Sequence, residues 1–219
     1  MKSHYVTRGL AALFIFCSAS ARVHGDTLDA LEKTYGAIRS IEAHFSQKIS
    51  IKALKREREM EGDFFYKRSE GFLWKYRVPK EKTFLYDGTA IWQAEEGQPF
   101  VIRDRVDKAR LEGTFLDLVD DVTRLDRLFA VRQVGREGGM EVLELVPRKE
   151  GTLKSARIWV DDRYLIRRME IDEITGNTNV IEFSAIKIDK PVADSLFVFK
   201  VGGREIIDSR GQTGQNQPR

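Results

Sequence analysis

Residues 66–88 read YKRSEGFLWKYRVPKEKTFLYDG, and they decide the class of fold. Phe72, Trp74 and Tyr76 recur at every second position of this stretch. Successive side chains of a β-strand point to opposite faces of a sheet, so a period of two predicts strands. Asp87-Gly88 is a strong signal for a two-residue hairpin turn. The stretch therefore predicts paired antiparallel strands with aromatic rings gathered on one face.

The same period continues on both sides of this stretch, with turn signals every eight to twelve residues. This arrangement is typical of an antiparallel sheet or barrel. The predicted strands cover residues 43–52, 57–67, 71–77, 82–86, 89–94, 99–104, 129–135, 140–147, 153–160, 164–172, 178–188 and 196–200. Helical patterns do not separate most of these runs, so parallel βαβ units are not expected.

Two segments depart from the strand pattern. After Asp26, which can cap a helix, apolar residues recur at spacings of three and four from Leu28 to Ile41, which predicts an amphipathic helix covering a core. Residues 105–127 return to helical spacing, and Gly113 is expected to split them into two short helices. Their apolar face is expected to cover one mouth of the curved sheet.

The first residues predict a secretory signal peptide. Lys2 and Arg8 precede a short apolar run at residues 10–16, which is too short to span a bilayer as a helix. Small residues offer two cleavage sites, after Ala21 or after Gly25. The expected organisation is a cleaved signal peptide at 1–25, a single domain at 26–208 and a disordered polar tail at 209–219.

The composition excludes several classes of function. Without residues 1–25, which carry three basic residues and no acid, basic and acidic residues balance at 34 each. Nucleic-acid binding is therefore not expected. The single cysteine, Cys17, lies in the predicted signal peptide and follows Phe16, where a lipidated cysteine requires a small residue. Beyond the predicted signal peptide His44 is the one histidine, which argues against a zinc site, and phosphate-binding or dinucleotide-binding motifs are absent. No cofactor or metal and no enzymatic activity are predicted.

The aromatic residues leave two interpretations open. Nine of the chain's 22 aromatic residues lie between Gly62 and Trp92, a density that fits either a filled core or the wall of a ligand cavity. Arg68 stands at the edge of this region. Its guanidinium is either solvated or holds backbone carbonyls or a polar headgroup at the rim of a cavity.

Several short elements, in this order and spacing, resemble those of the periplasmic outer-membrane lipoprotein carrier family, LolA. The resemblance runs from about Leu28 to Asp208. Its elements are Phe45-Ser46-Gln47, Lys67-Arg68, Phe72-x-Trp74-x-Tyr76, Pro79, Tyr86-Asp87-Gly88, Ile91-Trp92, residues 177–188, Leu196-Phe197-x-Phe199 and residues 205–208.

The resemblance implies a mainly β fold with an α lid. The expected architecture is an unclosed antiparallel half-barrel of about eleven strands, covered by short helices and enclosing a hydrophobic cavity. The lipid-binding residues that it implies are Phe64, Tyr66, Phe72, Trp74, Tyr76, Phe84, Tyr86 and Trp92. The lid, within residues 114–125, would include Phe115, Leu116, Val119 and Val122, and Arg68 would act as the lid latch.

The resemblance also implies a function. A periplasmic, monomeric carrier would take acylated lipoproteins from an inner-membrane ABC transporter, hide their acyl chains and pass them to an outer-membrane lipoprotein acceptor. Three alternatives remain open: a lipid-sensing or lipoprotein-sensing envelope regulator on the same fold, a hydrolase that uses carboxylates, and a purely structural barrel. The sensor is the alternative that shares most with the carrier, because it also binds acyl chains.

Overall fold

The computed structural model describes residues 26–105 and 122–208. The predicted signal peptide, most of the mid-chain helical segment and the predicted polar tail lie outside these residues.

Most of the described chain forms one large sheet with two α-helices and three short 3-10 turns. The N-terminal helix α1 spans Asp26–Ala37, and the short helix α2 spans Leu125–Leu128. The strands are β1 Ser40–Ile51, β2 Arg56–Lys67, β3 Gly71–Val78, β4 Lys82–Tyr86, β5 Ala90–Glu95, β6 Phe100–Arg105, β7 Phe129–Glu137, β8 Met140–Pro147, β9 Leu153–Val160, β10 Ile166–Glu173, β11 Thr178–Ile188 and β12 Glu205–Asp208. The 3-10 turns are Lys52–Leu54, Val122–Arg124 and Asp194–Phe197.

The described strands form one twelve-stranded sheet in the order β12-β6-β5-β4-β3-β2-β1-β11-β10-β9-β8-β7. All neighbours are antiparallel except β12, which runs parallel to β6. Strands β12 and β7 lie at the two edges and are not paired with each other, so the sheet is unclosed, as predicted. The long strands β1 and β2 pair along their whole length and lie in the middle of the sheet.

The pairing of β2 with β3 is irregular at one point. The register shifts between Glu61 and Gly62, and a side chain at Gly62 would collide with the carbonyl oxygen of Lys75 and the ring of Phe45. A residue without a Cβ is therefore required at this close approach. The unclosed sheet has a concave face, which α1 covers, and a convex face.

Each face buries a separate apolar cluster. The concave cluster is large and extends from α1 across β1–β5 and β7–β11. The convex cluster is small: Leu73, Leu85 and Phe197 form its buried centre, with Phe65 and Trp92 among the side chains packed around them. Residues 189–204, which we call the strap, leave β11 and cross this convex face before the chain enters β12.

Two details at the C-terminal end differ from the expectation. The predicted strand at 196–200 is wrong, because Asp194–Phe197 form a 3-10 turn and Phe197 is buried against the sheet. The alternation of apolar residues there reflects packing on the convex face rather than strand pairing. The last strand is instead β12, which follows a turn at Gly202 and Gly203, both with positive φ. Arg103 on β6 and Asp208 on β12 form an ion pair of 2.8 Å.

Candidate functional site

A cavity of about 300 Å³ lies between the concave face and the C-terminal half of α1. Strands β1, β2 and β3 form one side, and β10 and β11 form the other. The residues that line it are Tyr35, Ile41, Ala43, Phe64, Tyr66, Arg68, Trp74, Val122, Thr123, Ile166, Met169, Phe183 and Ile186. Most of them are apolar, as in ligand pockets in general.

Three of the sequence-predicted lipid-binding residues line this cavity: Phe64, Tyr66 and Trp74. The rings of Phe64 and Trp74 pack at 4.8 Å, and Phe183 from β11 completes a cluster at 5.9 and 5.8 Å from them. Phe45 meets Trp74 edge-on at 4.7 Å. These ring contacts orient the apolar wall without filling the space beneath α1.

Four further predicted residues belong to the concave cluster but do not line the cavity: Phe72, Tyr76, Phe84 and Tyr86. Phe72 stacks on Phe84 at 6.2 Å and lies 5.3 Å from Tyr86. Tyr76 meets Phe45 edge-on at 5.1 Å. These rings therefore support the wall from beside it, and burial raises the pKa of the Tyr76 phenol to about 12.

The expectation that Trp92 shares this wall is corrected. Trp92 pairs with Leu85 across β4 and β5, so both side chains point to the convex face. There Trp92 stacks on Phe199 of the strap at 4.9 Å and donates a 2.7 Å hydrogen bond from Nε1 to Asp87 Oδ2. The sequence alone does not show on which face of β5 Trp92 lies, because Ala90, Ile91 and Trp92 include no polar residue that would distinguish the two faces.

Arg68 is the polar residue of the cavity rim, and it clamps the end of α1. Its Nη2 donates to the carbonyl oxygens of Tyr35 and Gly36, both at 2.9 Å, and of Ile38 at 2.6 Å. Its Nε donates to the Ile38 carbonyl at 3.1 Å. The last carbonyls of a helix lack partners within the helix, and a cation at this end also suits the helix dipole. Of the two interpretations of Arg68, the described contacts match the one in which it holds backbone carbonyls.

The described cover of the cavity is α1 together with the turn at Val122–Arg124. The backbone N–H of Ile166 donates to the Tyr35 hydroxyl at 3.1 Å, and burial raises the pKa of Tyr35 to about 12. Glu32 accepts a 3.1 Å hydrogen bond from the Asp126 N–H, although burial raises the pKa of Glu32. Among the predicted lid residues, Val122 lines the cavity, whereas Phe115, Leu116 and Val119 lie outside the described residues.

Sequence reasoning missed the half of the wall that comes from β10 and β11. Three of its residues, Ile166, Met169 and Ile186, are not aromatic, and only Phe183 is, so the density of rings in the sequence does not mark this side of the cavity. The period of two at residues 179–183 places Ile181 and Phe183 inward, but Ile186 lies three residues after Phe183 across a shift in register, which the period does not predict. Ile166 and Met169 are likewise three residues apart across a register shift in β10.

The described residues contain no group of three or more histidine, cysteine or acidic side chains that could hold a metal ion. Within the same residues, no helix has the length and apolar character needed to cross a membrane.

Comparison with known proteins identifies relatives along most of the chain. The family described as "Outer membrane lipoprotein carrier protein LolA" matches residues 36–200. An outer-membrane lipoprotein carrier protein of Methylibium petroleiphilum is 25% identical over 193 residues, covering 88% of this chain and 94% of the relative. That of Cupriavidus taiwanensis is 26% identical over 206 residues, covering 92% and 96%.

Solved structures support the fold. An uncharacterized conserved protein from Thermus thermophilus matches with a TM-score of 0.54 at 11% identity, covering 83% of this chain and 96% of that chain. MucB matches with a TM-score of 0.50 at 13% identity, covering 83% of this chain and 64% of that chain. At these identities the likeness extends to the fold alone.

Proposed function

This chain belongs to the outer membrane lipoprotein carrier family, and we propose that it carries acylated lipoproteins across the periplasm. It would receive them from an inner-membrane ABC transporter and deliver them, as a monomer, to an outer-membrane acceptor. The observation that carries the proposal is the apolar cavity beneath α1, whose cover is fastened at its rim by one arginine. A carrier requires such a site, because acyl chains must leave water and leave the protein again.

The energetics of acyl chains require a cavity that is costly to open. Each buried CH2 contributes roughly 0.8 kcal/mol, and a membrane offers the same stabilisation as a protein. A carrier that bound three long chains with their full transfer energy would not release them to an acceptor. The empty cavity of about 300 Å³ is at the lower end of the roughly 300–1,000 Å³ seen for ligand pockets. Cargo would therefore have to displace α1, and the cost of that displacement favours release.

Arg68 contributes part of this cost in our proposal. Its described hydrogen bonds hold the carbonyls of the last turn of α1, so entry of an acyl chain beneath the helix would break them. Re-forming these bonds would close the empty cavity and help to expel the chain at the acceptor. Arg68 thus acts as the latch of the cover, with α1 as the element that it holds.

The apolar contacts are assigned by position. Phe64, Tyr66 and Trp74 line the cavity and would touch the acyl chains directly. Phe72, Tyr76, Phe84 and Tyr86 would hold those rings in place and become accessible when the cavity widens. Val122 lies at the cover, and the predicted lid residues Phe115, Leu116 and Val119 would extend the cover over longer chains.

The test compares two neighbouring phenylalanines on opposite faces of β2. Phe64 lines the cavity, and Phe65 packs in the convex cluster. Phe64→Glu places a charge on the apolar wall and is expected to abolish loading, because an unpaired buried charge is strongly unfavourable. Phe65→Glu is the matched control and is expected to load cargo in its folded fraction.

The measurement is intact-complex mass spectrometry of each protein purified from the periplasm, with unfolding curves to establish the folded fraction. A co-purifying acylated lipoprotein on the wild type and on Phe65→Glu, but not on Phe64→Glu, supports the carrier. Normal loading of folded Phe64→Glu contradicts the assigned cavity. A lipid-bound wild type that forms a stable protein complex and never transfers its cargo would instead favour the envelope sensor.

A further inference from the structure

Three hairpin tips meet at the end of the sheet farthest from the cavity. They are residues 52–55 between β1 and β2 with Arg56 at the start of β2, residues 148–152 between β8 and β9, and residues 174–177 between β10 and β11; we call them together the basic tip. The backbone N–H of Lys52 donates to Asn177 Oδ1 at 3.1 Å, and that of Ile174 donates to the Thr152 carbonyl at 3.0 Å. These bonds join the three turns into one surface.

The position of the basic tip follows from the strands that carry it. On β1 the cavity residues are Ile41 and Ala43, near the start of the strand, whereas the tip begins after its last residue, Ile51. At about 3.3 Å per residue, the eight steps from Ala43 to Ile51 separate the two by about 26 Å. A ligand bound at the β1–β2 turn therefore does not contact the cavity.

The basic tip exposes two aliphatic side chains that are not buried in either apolar cluster. Leu54 is 59% exposed and Ile174 is 67% exposed, which places both among the three most exposed large apolar residues described. The turn at Lys52–Leu54 buries none of its residues. Each side chain stands on a separate turn, and Leu54 is followed directly by Lys55.

The charge around these side chains is strongly positive. The basic tip contains one acidic residue, Glu150, against five basic ones: Lys52, Lys55, Arg56, Arg148 and Lys149. Glu57, which follows on β2, is paired with Lys48 at 2.7 Å. Glu173, which precedes Ile174, accepts hydrogen bonds from Thr175 and Asn177. The neighbouring acids are thus engaged close to their own positions. Arg148 donates from Nε to the Asp126 carbonyl at 3.1 Å, so the exposed cations on which the proposal rests are those at the β1–β2 turn, Lys52, Lys55 and Arg56.

We propose that the basic tip docks on the surface of an anionic phospholipid bilayer. Isolated aliphatic side chains among lysines and arginines suit this surface, because the aliphatic groups enter the acyl boundary while the cations bind the headgroup phosphates. A protein partner would instead be expected to cover a continuous, shape-matched patch. Docking through this end would hold the carrier at a membrane with its cavity directed away from the lipid.

Vesicle co-sedimentation tests the proposal, using the purified protein with phosphatidylcholine vesicles and with equimolar phosphatidylcholine and phosphatidylglycerol. The wild type is expected to bind the anionic vesicles at least tenfold more strongly, and added salt is expected to weaken this binding. Replacing Lys52 and Lys55 by glutamine is expected to weaken it roughly fivefold for each lysine.

The apolar contribution is tested by the double variant Leu54→Ser, Ile174→Ser, which is expected to reduce binding about tenfold. The matched control is Val134→Ser with Val198→Ser, which removes two exposed valines elsewhere and is expected to bind as the wild type does. Equal binding of the wild type to both kinds of vesicle overturns the proposal, and so does an equal loss in the control. A wild type that ignores anionic vesicles but is retained on polyglutamate through Lys52 and Lys55 would place an acidic protein at the tip instead.

The outcome is independent of the carrier function. Phe64→Glu is expected to lose lipoprotein loading and to keep its vesicle binding, because Phe64 lies at the opposite end of the strands. Loss of vesicle binding in that variant would assign the binding to the cavity and overturn docking through the tip.

Discussion

The two faces of the central strands use the same kind of side chain for different purposes. Phe64 and Phe65 are neighbours in β2, yet one borders a cavity and the other packs in a filled cluster. On the concave face the rings form a wall with empty space before it. On the convex face, Phe197 of the strap is 4% exposed, and Phe199 lies parallel to Trp92 with an interplanar angle of 6°.

The covers of the two faces are also held differently. The strap buries Phe197 against the sheet and adds an ion pair between its Asp194 and Lys67 of β2, and lifting it would expose Phe197 and Trp92 to water. Helix α1 also buries apolar area through Leu31, but its end at the cavity rim is held in addition by hydrogen bonds from Arg68, which stands partly in solvent. Apolar packing is lost over a broad area, whereas a few polar bonds to an exposed group are exchanged readily for water. The comparison teaches that ring density alone does not identify a binding face, because it is the cavity, with exchangeable hydrogen bonds at its rim, that distinguishes the concave face.

The largest effect on stability is expected from truncating Phe197 in the convex cluster. Phe197→Ala should lower the free energy of unfolding by about 3–5 kcal/mol, the usual range for a buried phenylalanine. Phe64→Ala should cost about 2–3 kcal/mol, because part of its ring already borders empty space and has fewer contacts to lose. Chemical denaturation of both variants measures the difference. An equal or larger loss for Phe64→Ala would mean that the concave wall is as tightly packed as the convex cluster.

The next effect tests the attachment of α1. Arg68→Leu removes the donors to the last carbonyls of the helix, with an expected cost of about 1.5–3 kcal/mol for the charge-assisted bonds together. The variant should still accept lipoprotein but release it poorly to the acceptor. Transfer to outer-membrane vesicles, measured alongside hydrogen exchange of the α1 amides, checks both parts. If the variant transfers cargo at the wild-type rate although its α1 amides have lost protection, then Arg68 holds the helix but does not drive release.

Much of this architecture was predictable from the sequence. The period of two and the turn signals placed eleven of the twelve strands within a few residues of their observed bounds, and Asp87-Gly88 marked the β4–β5 turn. Local patterns of this kind depend on neighbouring residues only. The family resemblance supplied the unclosed topology, which no local pattern specifies.

The remaining features depend on partners that are distant in the chain. The face of Trp92 is set by the pairing of Leu85 with Trp92, and the 3-10 turn of the strap is set by the surface on which Phe197 packs. The partners of Arg68 lie more than thirty residues away at Tyr35 and Gly36. A single sequence does not show which distant residues come into contact. The cavity and the hydrogen bonds of Arg68 at its rim therefore became visible only in the structure.

A smaller effect is expected when the pH is changed, and it has opposite signs on the two faces. On the convex side burial alone would raise the pKa of Asp87, but hydrogen bonds from the Ala90 N–H, Trp92 and Thr89 outweigh it and lower the pKa below 3.8. The stabilisation that Asp87 provides is therefore complete above that value and lost as the pH falls through the folded pKa. Asp87→Asn should cost about 1 kcal/mol at neutral pH and progressively less in acid.

On the concave side, burial raises the pKa of Tyr35 and Tyr76 from 10.0 to about 12. The folded protein keeps these protons longer than the unfolded chain, so their stabilisation is complete below pH 10 and is lost as the pH rises from about 10 to about 12. The double variant Tyr35→Phe, Tyr76→Phe should flatten this alkaline loss, whereas Asp87→Asn should leave it unchanged. Unfolding free energies measured across both pH ranges test the contrast, and a wild-type alkaline slope in the double variant would contradict it.

The smallest effect is expected from a substitution that stabilises α1 without changing any side chain of the cavity wall. Gly36 is exposed in the last turn of α1, and a Cβ there would meet Thr123 at 3.9 Å, an ordinary contact. Gly36→Ala should therefore stabilise the helix by about 0.5–1 kcal/mol, through helix propensity and the smaller entropy of the unfolded chain. If α1 must move to admit cargo, the variant should load lipoprotein up to about fivefold more slowly, since 1.4 kcal/mol corresponds to a factor of ten.

Gly203, which has a positive φ in the strap turn and open space around it, offers the matched site: Gly203→Ala should lower stability and leave loading unchanged. Equal loading rates for Gly36→Ala and the wild type would mean that chains enter past a different edge of the cavity, and that α1 is a fixed cover like the strap.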